Sequence, residues 1–295
     1  MTAQALAHPP RARRTGGRRL LSTLQLAPAL LYFLAFFVGP FVVLLAISFF
    51  TFRDFNFYPD LTLKNYADVV VSDVFRTLYI RTVGLSLLSA VLSVGLAYAF
   101  VYILSFVFPG RRQLLYFLML VSLFGGYLVR IYAWRTILGA EGVVNGTLMS
   151  LGVIQEPIRW ILNSPFSVVV AIVNFLVPLA VLPIYAAMQN VSPNLLEAAR
   201  DLGSSRADVN RRIVLPLVMP GVRVAFAFCL IASAGEFAIP ALLGGTDTAF
   251  VGVQVQQQVN QNFNWPLGSA MALSLVVSVI LIAAVLSWLS RFIDR

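Results

Sequence analysis

Apolar residues run along this chain in long blocks that contain no charged side chain. Four such blocks, free of Asp, Glu, Lys and Arg, cover residues 20–52, 82–110, 160–196 and 248–290. Each is longer than the roughly 20 residues that cross a bilayer as an α-helix. The pattern therefore predicts an all-α polytopic membrane protein and argues against a water-soluble fold.

Hydropathy and helix-breaking residues together predict six transmembrane helices. The first apolar run is much longer than the roughly 7–15 residues of a signal-peptide core, so we interpret it as a retained span. Six crossings place both termini on the same side of the membrane. The predicted spans are residues 24–50, 79–108, 114–137, 166–188, 221–243 and 267–290.

The distribution of arginine assigns both termini to the cytoplasm. Fourteen of the 21 Lys and Arg residues fall in the N-terminal tail, the C terminus and the loops on the same side as the termini. Cytoplasmic loops carry the excess of basic residues in membrane proteins. Residues 1–23, rich in Ala, Pro, Gly and Arg, are expected to form a disordered basic tail that contacts anionic membrane lipid. Residues 24–295 form the predicted transmembrane domain.

Composition removes several classes of function. The chain is 59% hydrophobic and 11% charged, and it has one cysteine, Cys229, and one histidine, His8. An intrachain disulfide is therefore impossible, and no His or acidic cluster has metal-ligand spacing, so we expect no metal site and no cofactor. The net charge of +9 follows the membrane spans, so nucleic acid is not a predicted partner.

A polar interval, residues 191–221, separates the fourth and fifth predicted spans. Ser192 is placed to cap a helix through its hydroxyl, and Pro193 suits the first helical position. Gly203 can take the left-handed conformation that ends this helix. Ser205 is placed to cap a second helix, which Pro216 would end. We predict a helical hairpin that projects into the cytoplasm.

This interval also carries a motif with fixed spacing. Glu197-Ala198-Ala199 is followed after three residues by Gly203, after nine more by Ile213, and after one more by Leu215-Pro216. The motif resembles, without a gap, the cytoplasmic signature of permease subunits of ABC importers. The resemblance implies a type I ABC importer permease fold, in which the loop 191–221 is the coupling helix that sits in a groove of the ATP-binding subunit. The residues implied to couple are Glu197, Ala198, Ala199, Asp201, Gly203, Ile213, Leu215 and Pro216.

The residue types suit such a contact. Ala198 and Ala199 allow close approach, and Glu197 and Asp201 lie one turn apart, where both can accept hydrogen bonds from a partner. An amphipathic hairpin without a partner is the alternative interpretation.

The chain is not expected to be an enzyme. A phosphate-binding Walker A loop needs Gly-x-x-x-x-Gly-Lys-Ser/Thr, and the single lysine, Lys64, lacks these glycines. The resemblance therefore implies a separate dimer of ATP-binding subunits. It further implies a second permease subunit, giving a heterodimer or else a homodimer, and a periplasmic or lipid-anchored solute-binding protein. The implied location is the bacterial inner membrane.

Three further segments, residues 128–138, 235–245 and 264–270, resemble those of spermidine/putrescine-type permeases. They imply a small cationic cargo of the polyamine class. Permeases for opines, amino-acid-like compounds or ferric ion share related segments, so these cargoes remain alternatives.

Candidate residues of the substrate path are polar or aromatic groups within or near the spans. Glu236 has apolar neighbours, and an intramembrane carboxylate is costly and usually faces a polar interior. It would attract an ammonium group, or else serve as a structural carboxylate bonded to a neighbouring helix. The other candidates are Asn174, Tyr132, Trp134 and Trp265, for whose aromatic members an interfacial anchor is the alternative role.

Two other classes of protein remain open. A secondary transporter would show an internal repeat and ionisable relays at the midplane, but no clear repeat is present. An integral membrane enzyme would need His, Cys, Lys or clustered acids inside the spans, which this sequence lacks.

Overall fold

The computed structural model describes residues 26–245 and 248–293, and it is built almost entirely of helices. The predicted basic tail at residues 1–23 lies outside the described residues. Contacts between residues divide the chain into two units, Met1–Ile47 and Ser48–Arg295. The first unit contributes one helix, α1 (Leu26–Ile47), which includes a π-helical turn at Leu34–Val38.

The second unit begins with a small β-hairpin and continues as a helical bundle. Strand β1 (Thr51–Arg53) pairs antiparallel with β2 (Asn56–Tyr58). The helices that follow are α2 (Lys64–Val71), α3 (Asp73–Phe106), α4 (Arg112–Leu123), α5 (Tyr127–Leu138), α6 (Val143–Ser150), α7 (Pro165–Met188), α8 (Pro193–Asp201), α9 (Arg206–Ala234), α10 (Ala238–Leu243), α11 (Val251–Asn260) and α12 (Trp265–Ile293).

Five helices are long and apolar enough to cross a membrane, namely α1, α3, α7, α9 and α12. A sixth crossing is present if α4 and α5 are counted together. These two helices are bent by 93° at a short break, so the predicted single helix at 114–137 is wrong. Gly125 and Gly126 lie in that break, and glycine weakens a helix because it loses the most conformational freedom on folding.

Two other sequence-based boundaries also need correction. The fifth predicted span, 221–243, is instead α9, which starts at Arg206 and ends at Ala234. The predicted loop from 244 to 266 contains a helix, α11, which packs against the start of α12. Its buried first residue, Val251, donates its backbone N–H to the Thr82 hydroxyl oxygen at 2.9 Å, so a side chain of α3 satisfies this free helix end.

The core lies where α3, α7 and α9 pack together. Small buried residues line this contact, including Ala97, Ala180 and Ala225. Gly221 of α9 lies so close to α7 that an added Cβ would be 2.5 Å from the Pro183 carbonyl oxygen. Small residues let transmembrane helices approach closely, and van der Waals contact then holds them together.

Candidate functional site

The polar interval forms the helical hairpin that the sequence predicts. Pro193 is the first residue of α8, and Gly203, at φ +83°, ends the helix in the left-handed region. The Ser205 hydroxyl accepts the Asp208 backbone N–H at 3.1 Å and caps α9. Ser192 occupies the N-cap position of α8, but its side chain makes no capping hydrogen bond, so this part of the prediction is wrong.

Pro216 does not end the second helix of the hairpin. The helix α9 passes through a π-helical turn at Asn210–Val214, in which the Leu215 N–H donates to the Asn210 carbonyl oxygen. This wider turn leads into the α-helical part of α9, where Pro216 is at one of the first two positions and its missing N–H costs little. The hairpin and the following membrane span are therefore one helical rod of 29 residues.

A buried contact ties this π-helical turn to a neighbouring span. The Tyr98 hydroxyl of α3 donates to the Asn210 side-chain oxygen at 2.5 Å. Isolated π-helical turns occur often at functional sites. The sequence did not single out either residue, because Tyr98 lies within an apolar run and Asn210 lies outside the spaced motif.

The motif residues divide between a buried and an open side of the hairpin. Ala199 is buried, and Ile213 and Leu215 are half-buried, so they hold the hairpin to the bundle. The residues that remain exposed are Glu197, Ala198, Asp201, Gly203 and Pro216. Neither Glu197 nor Asp201 forms an ion pair with the described part of the chain, so their carboxylates are open to a partner.

A second group of residues surrounds two helix breaks. The first break separates α4 from α5 at residues 124–126, and the second separates α9 from α10 at residues 235–237. Helices α5 and α10 pack against each other and against α7. Broken helices within a membrane leave backbone groups without helical partners, and other groups must satisfy them.

Glu236 satisfies the free end of α10. Its Oε1 atom accepts the backbone N–H groups of Ala238 at 2.9 Å and Ile239 at 3.2 Å. The Tyr127 hydroxyl, at the start of α5, donates to the same oxygen. A carboxylate at a helix N terminus is favourable because the helix dipole is positive there. Glu236 is half-exposed, and its Oε2 has no hydrogen-bond partner among the described residues.

Arg130 satisfies the other break. Its guanidinium donates to the Ser122 carbonyl oxygen near the end of α4, where the helix dipole is negative. The same group lies 5.9 Å from the centroid of the Phe175 ring, which meets the Tyr127 ring at 5.4 Å. Each break is thus capped by a charge of the matching sign, and the two aromatic rings lie between these charges.

The structure brings some of the predicted path residues together and separates others. Trp134 and Asn174 line one cavity of about 520 Å³ between α3, α4, α5 and α7. Glu236 belongs to the same region through Tyr127 and Phe175, which is adjacent to Asn174. Tyr132 and Trp265 are exposed and do not line this cavity.

Sequence reasoning missed the residues that link this group. Tyr127, Arg130 and Phe175 make the contacts around Glu236, and the signal for them was the Gly125-Gly126 pair, which marks a helix break. Across the described ranges, residues 26–245 and 248–293, no group of three or more His, Cys, Asp or Glu side chains is placed to hold a metal ion.

The helical architecture and the exposed hairpin define a class of protein, the membrane-spanning subunits of ABC importers. Residues 96–295 match the family model of the binding-protein-dependent transport system inner membrane component. The chain belongs to this family, and it is accordingly an inner-membrane permease subunit of an ABC importer.

Relatives match almost the whole chain. The spermidine/putrescine transport system permease protein PotB of Haemophilus influenzae is 34% identical over 268 residues, which cover 89% of this chain and 92% of that protein. PotB of Escherichia coli is 31% identical over 257 residues, covering 87% and 93% of the two chains. The inner membrane ABC transporter permease protein YdcU of Escherichia coli is 28% identical over 289 residues, covering 92% and 89%.

A solved structure supports the fold independently. A chain of a bacterial alginate ABC transporter, in complex with an alginate-bound periplasmic protein, superposes with a TM-score of 0.75. It covers 95% of this chain and 96% of its own length at 19% sequence identity. This likeness establishes the fold, whereas the identity of the cargo rests on other observations.

Proposed function

We propose that this chain is one of two permease subunits that import a small cationic solute of the polyamine class, such as putrescine or spermidine. The observation that carries the proposal is the 34% identity to a spermidine/putrescine permease over 89% of this chain. The local chemistry agrees with it, since the region around the Trp134 and Asn174 cavity contains a carboxylate, Glu236.

The cavity suits a cation that carries a hydrocarbon spacer. Most of its lining is aliphatic, from α3 and α7, and can cover methylene groups. The faces of aromatic rings attract ammonium groups, and Trp134 supplies such a ring at the cavity wall. The free Oε2 atom of Glu236 and the side-chain oxygen of Asn174 are acceptors for ammonium N–H groups. Tyr132 and Trp265 are assigned to interfacial anchoring, because both are exposed at helix surfaces.

Transport requires an energy source outside this chain. We infer that a dimer of ATP-binding subunits docks on the exposed residues of the hairpin 191–221, with Glu197 and Asp201 as hydrogen-bond acceptors. Closure of the ATP-binding subunits then moves α9, because the second helix of the hairpin continues into that span without a break. The far end of α9 meets the break at Glu236, so the movement reaches the cation site and switches its access between the two sides.

The remaining partners complete the importer. A second, non-identical permease would form the other half of the path, and a periplasmic or lipid-anchored solute-binding protein would deliver the cargo. Both termini and the hairpin would then be cytoplasmic. The basic tail at residues 1–23 would lie on anionic lipid, and the permease domain would extend from residue 24 to 295.

One observation favours a second candidate cargo. Arg130 lies beside the same aromatic pair, and guanidinium groups pair with carboxylates. A zwitterionic solute, such as an opine or another amino-acid-like compound, would use both Arg130 and Glu236. Ferric ion is a weaker candidate, because the described residues hold no cluster of acidic ligands.

Competition of uptake distinguishes these cargoes. Cells or proteoliposomes that contain the complete transporter would be given labelled putrescine with an excess of unlabelled spermidine, an opine or an amino acid. The polyamine proposal predicts inhibition by spermidine alone. Inhibition by the zwitterions, with none by spermidine, would replace the polyamine with the second candidate.

A further inference from the structure

The β-hairpin formed by β1 and β2 has an unusual turn at its tip. Arg53 pairs with Asn56, which leaves Asp54 and Phe55 as a two-residue turn. Both have positive φ, at +47° and +60°, as in a type I′ turn. Such turns favour Asn-Gly or Asp-Gly, because glycine adopts positive φ without steric cost. A phenylalanine at this position is a genuine outlier, and outliers of this kind cluster at functional sites.

The strained residue is also openly displayed. The Phe55 side chain is 78% exposed, and its ring edge meets Phe52 with 6.5 Å between centroids. Further along the same segment, Leu61 is 82% exposed and Leu63 is 68% exposed. Large exposed apolar groups that lie close together mark interaction sites.

The base of the β-hairpin is firmly held, in contrast to its tip. The buried Asn65 side chain donates to the carbonyl oxygens of Ser48 at 2.8 Å and Phe50 at 2.9 Å. The Tyr66 hydroxyl shares a 2.8 Å hydrogen bond with the Ser48 hydroxyl. Strand β1 and helix α2 also pack against α12. The aromatic tip is therefore preorganised, which lowers the entropic cost of binding a partner.

The β-hairpin lies at the end of the bundle opposite the helical hairpin. The C-terminal end of α3, at Phe106, lines a cavity together with Arg200 and Arg206 of the helical hairpin. The N-terminal end of α3, at Asp73, is 34 residues away, which is about 50 Å along a helix. The β-hairpin precedes that N-terminal end, so it faces the side from which an importer receives its cargo.

We propose that the β-hairpin tip, with Phe55 as its anchor, is a docking point for the solute-binding protein. The charges around Phe55 favour a protein partner over the lipid surface. Arg53 and Asp54 flank the ring, and Asp60 and Lys64 follow it, and all four are exposed. Burying these charges in lipid would be costly. An aromatic anchor with a polar rim is instead the usual anatomy of a protein interface.

This inference rests on the proposed solute-binding protein but not on the identity of the cargo. The first measurement uses the complete transporter in nanodiscs and a solute-binding protein from the same organism that stimulates its ATP hydrolysis. If no such protein stimulates the wild-type transporter, the proposed function fails before the β-hairpin is tested.

The critical variant is Phe55→Asn. Asparagine tolerates positive φ, so it relieves the strain of the turn while it removes the aromatic ring. A purely structural residue would leave binding unchanged or improve it. We expect binding of the solute-binding protein to weaken at least about tenfold, as for an aromatic anchor of an interface. Phe55→Tyr should restore most of the affinity.

Val153 provides a matched control. It lies between α6 and α7 at the same end of the bundle, and it is 66% exposed. We expect Val153→Asn to bind as wild type does. Equal losses in Phe55→Asn and Val153→Asn, or no loss in either, would overturn the proposal.

Photocrosslinking identifies what the tip touches. A photoreactive benzoylphenylalanine at position 55 should crosslink to the solute-binding protein when that protein is added. Crosslinks confined to the second permease or to lipid, and unchanged by the solute-binding protein, would overturn the proposed partner.

Discussion

Glu236 offers the sharpest test of the site, because its role as a helix cap can be separated from its charge. The Oε1 atom of Glu236 accepts two backbone N–H groups of α10, and it also accepts the Tyr127 hydroxyl. Glutamine keeps an acceptor oxygen at this position and removes the charge. Alanine removes both.

The structure gives the size of each effect. Loss of a helix cap costs about 0.5–2 kcal/mol. Leaving a hydroxyl such as that of Tyr127 without its acceptor costs about 1–3 kcal/mol. We therefore expect Glu236→Ala to destabilise the protein by roughly 2–4 kcal/mol. Neutral hydrogen bonds are about half as strong as charge-assisted ones, so Glu236→Gln should lose roughly 1–2 kcal/mol.

The single cysteine supplies the assay. Cys229 is fully buried in α9, so a thiol-reactive dye labels it only when the bundle opens. The temperature at which labelling of this chain begins, measured in the lipid-embedded transporter, should fall in Glu236→Ala and fall about half as far in Glu236→Gln. Glu141→Ala, at an exposed acid without a hydrogen bond among the described residues, should match wild type.

Two results would refute this reasoning. A labelling temperature of Glu236→Ala equal to that of wild type would mean that the carboxylate does not hold the break. If Glu236→Gln were as unstable as Glu236→Ala, the charge rather than the hydrogen-bond acceptor would hold it. Polyamine uptake should fall in Glu236→Gln even where the protein is abundant and folded, and undiminished uptake would contradict a role for the charge.

Three further substitutions test other contacts. Gly221→Leu should prevent close packing of α9 on α7 and abolish folded protein in membranes, while Gly95→Ala, with nothing within 4 Å of the added Cβ, should be tolerated; equal yields would contradict this. Thr82→Val should leave the Val251 N–H unpaired and lower stability by about 1–3 kcal/mol, seen as faster hydrogen exchange in α11; unchanged exchange would contradict it. Tyr98→Phe should lower the solute imported per ATP hydrolysed, because the π-helical turn loses its tie to α3, and an unchanged ratio would argue against that link.

The parts of the fold that follow from local pattern could be predicted from the sequence. Apolar length alone located most of the spans, because a bilayer demands a fixed helix length. Gly203 and Ser205 adopted their predicted roles at the turn of the helical hairpin, because capping depends on neighbouring backbone groups. The spaced motif identified the family for the same reason, since its residues lie close together in the chain.

The parts that depend on distant contacts could not be predicted in this way. Glu236 is held by Tyr127, which is 109 residues away, and the start of α11 is held by Thr82, which is 169 residues away. No local pattern reports such pairs. Pro216 was misjudged because a π-helical turn ahead of it, at Asn210–Val214, lets the helix continue. A proline signals a break only where a regular α-helix would surround it.

The central claim is that the hairpin 191–221 couples ATP hydrolysis elsewhere to movement of a cation through this chain. The most direct measurement is uptake of labelled putrescine and spermidine into proteoliposomes that contain the complete transporter and its solute-binding protein. Wild type would be compared with Gly203→Asp, with and without ATP on the hairpin side. We predict uptake that requires ATP and is lost in Gly203→Asp, while the assembled protein remains in the membrane. Uptake without ATP, or full uptake by Gly203→Asp, would contradict the account.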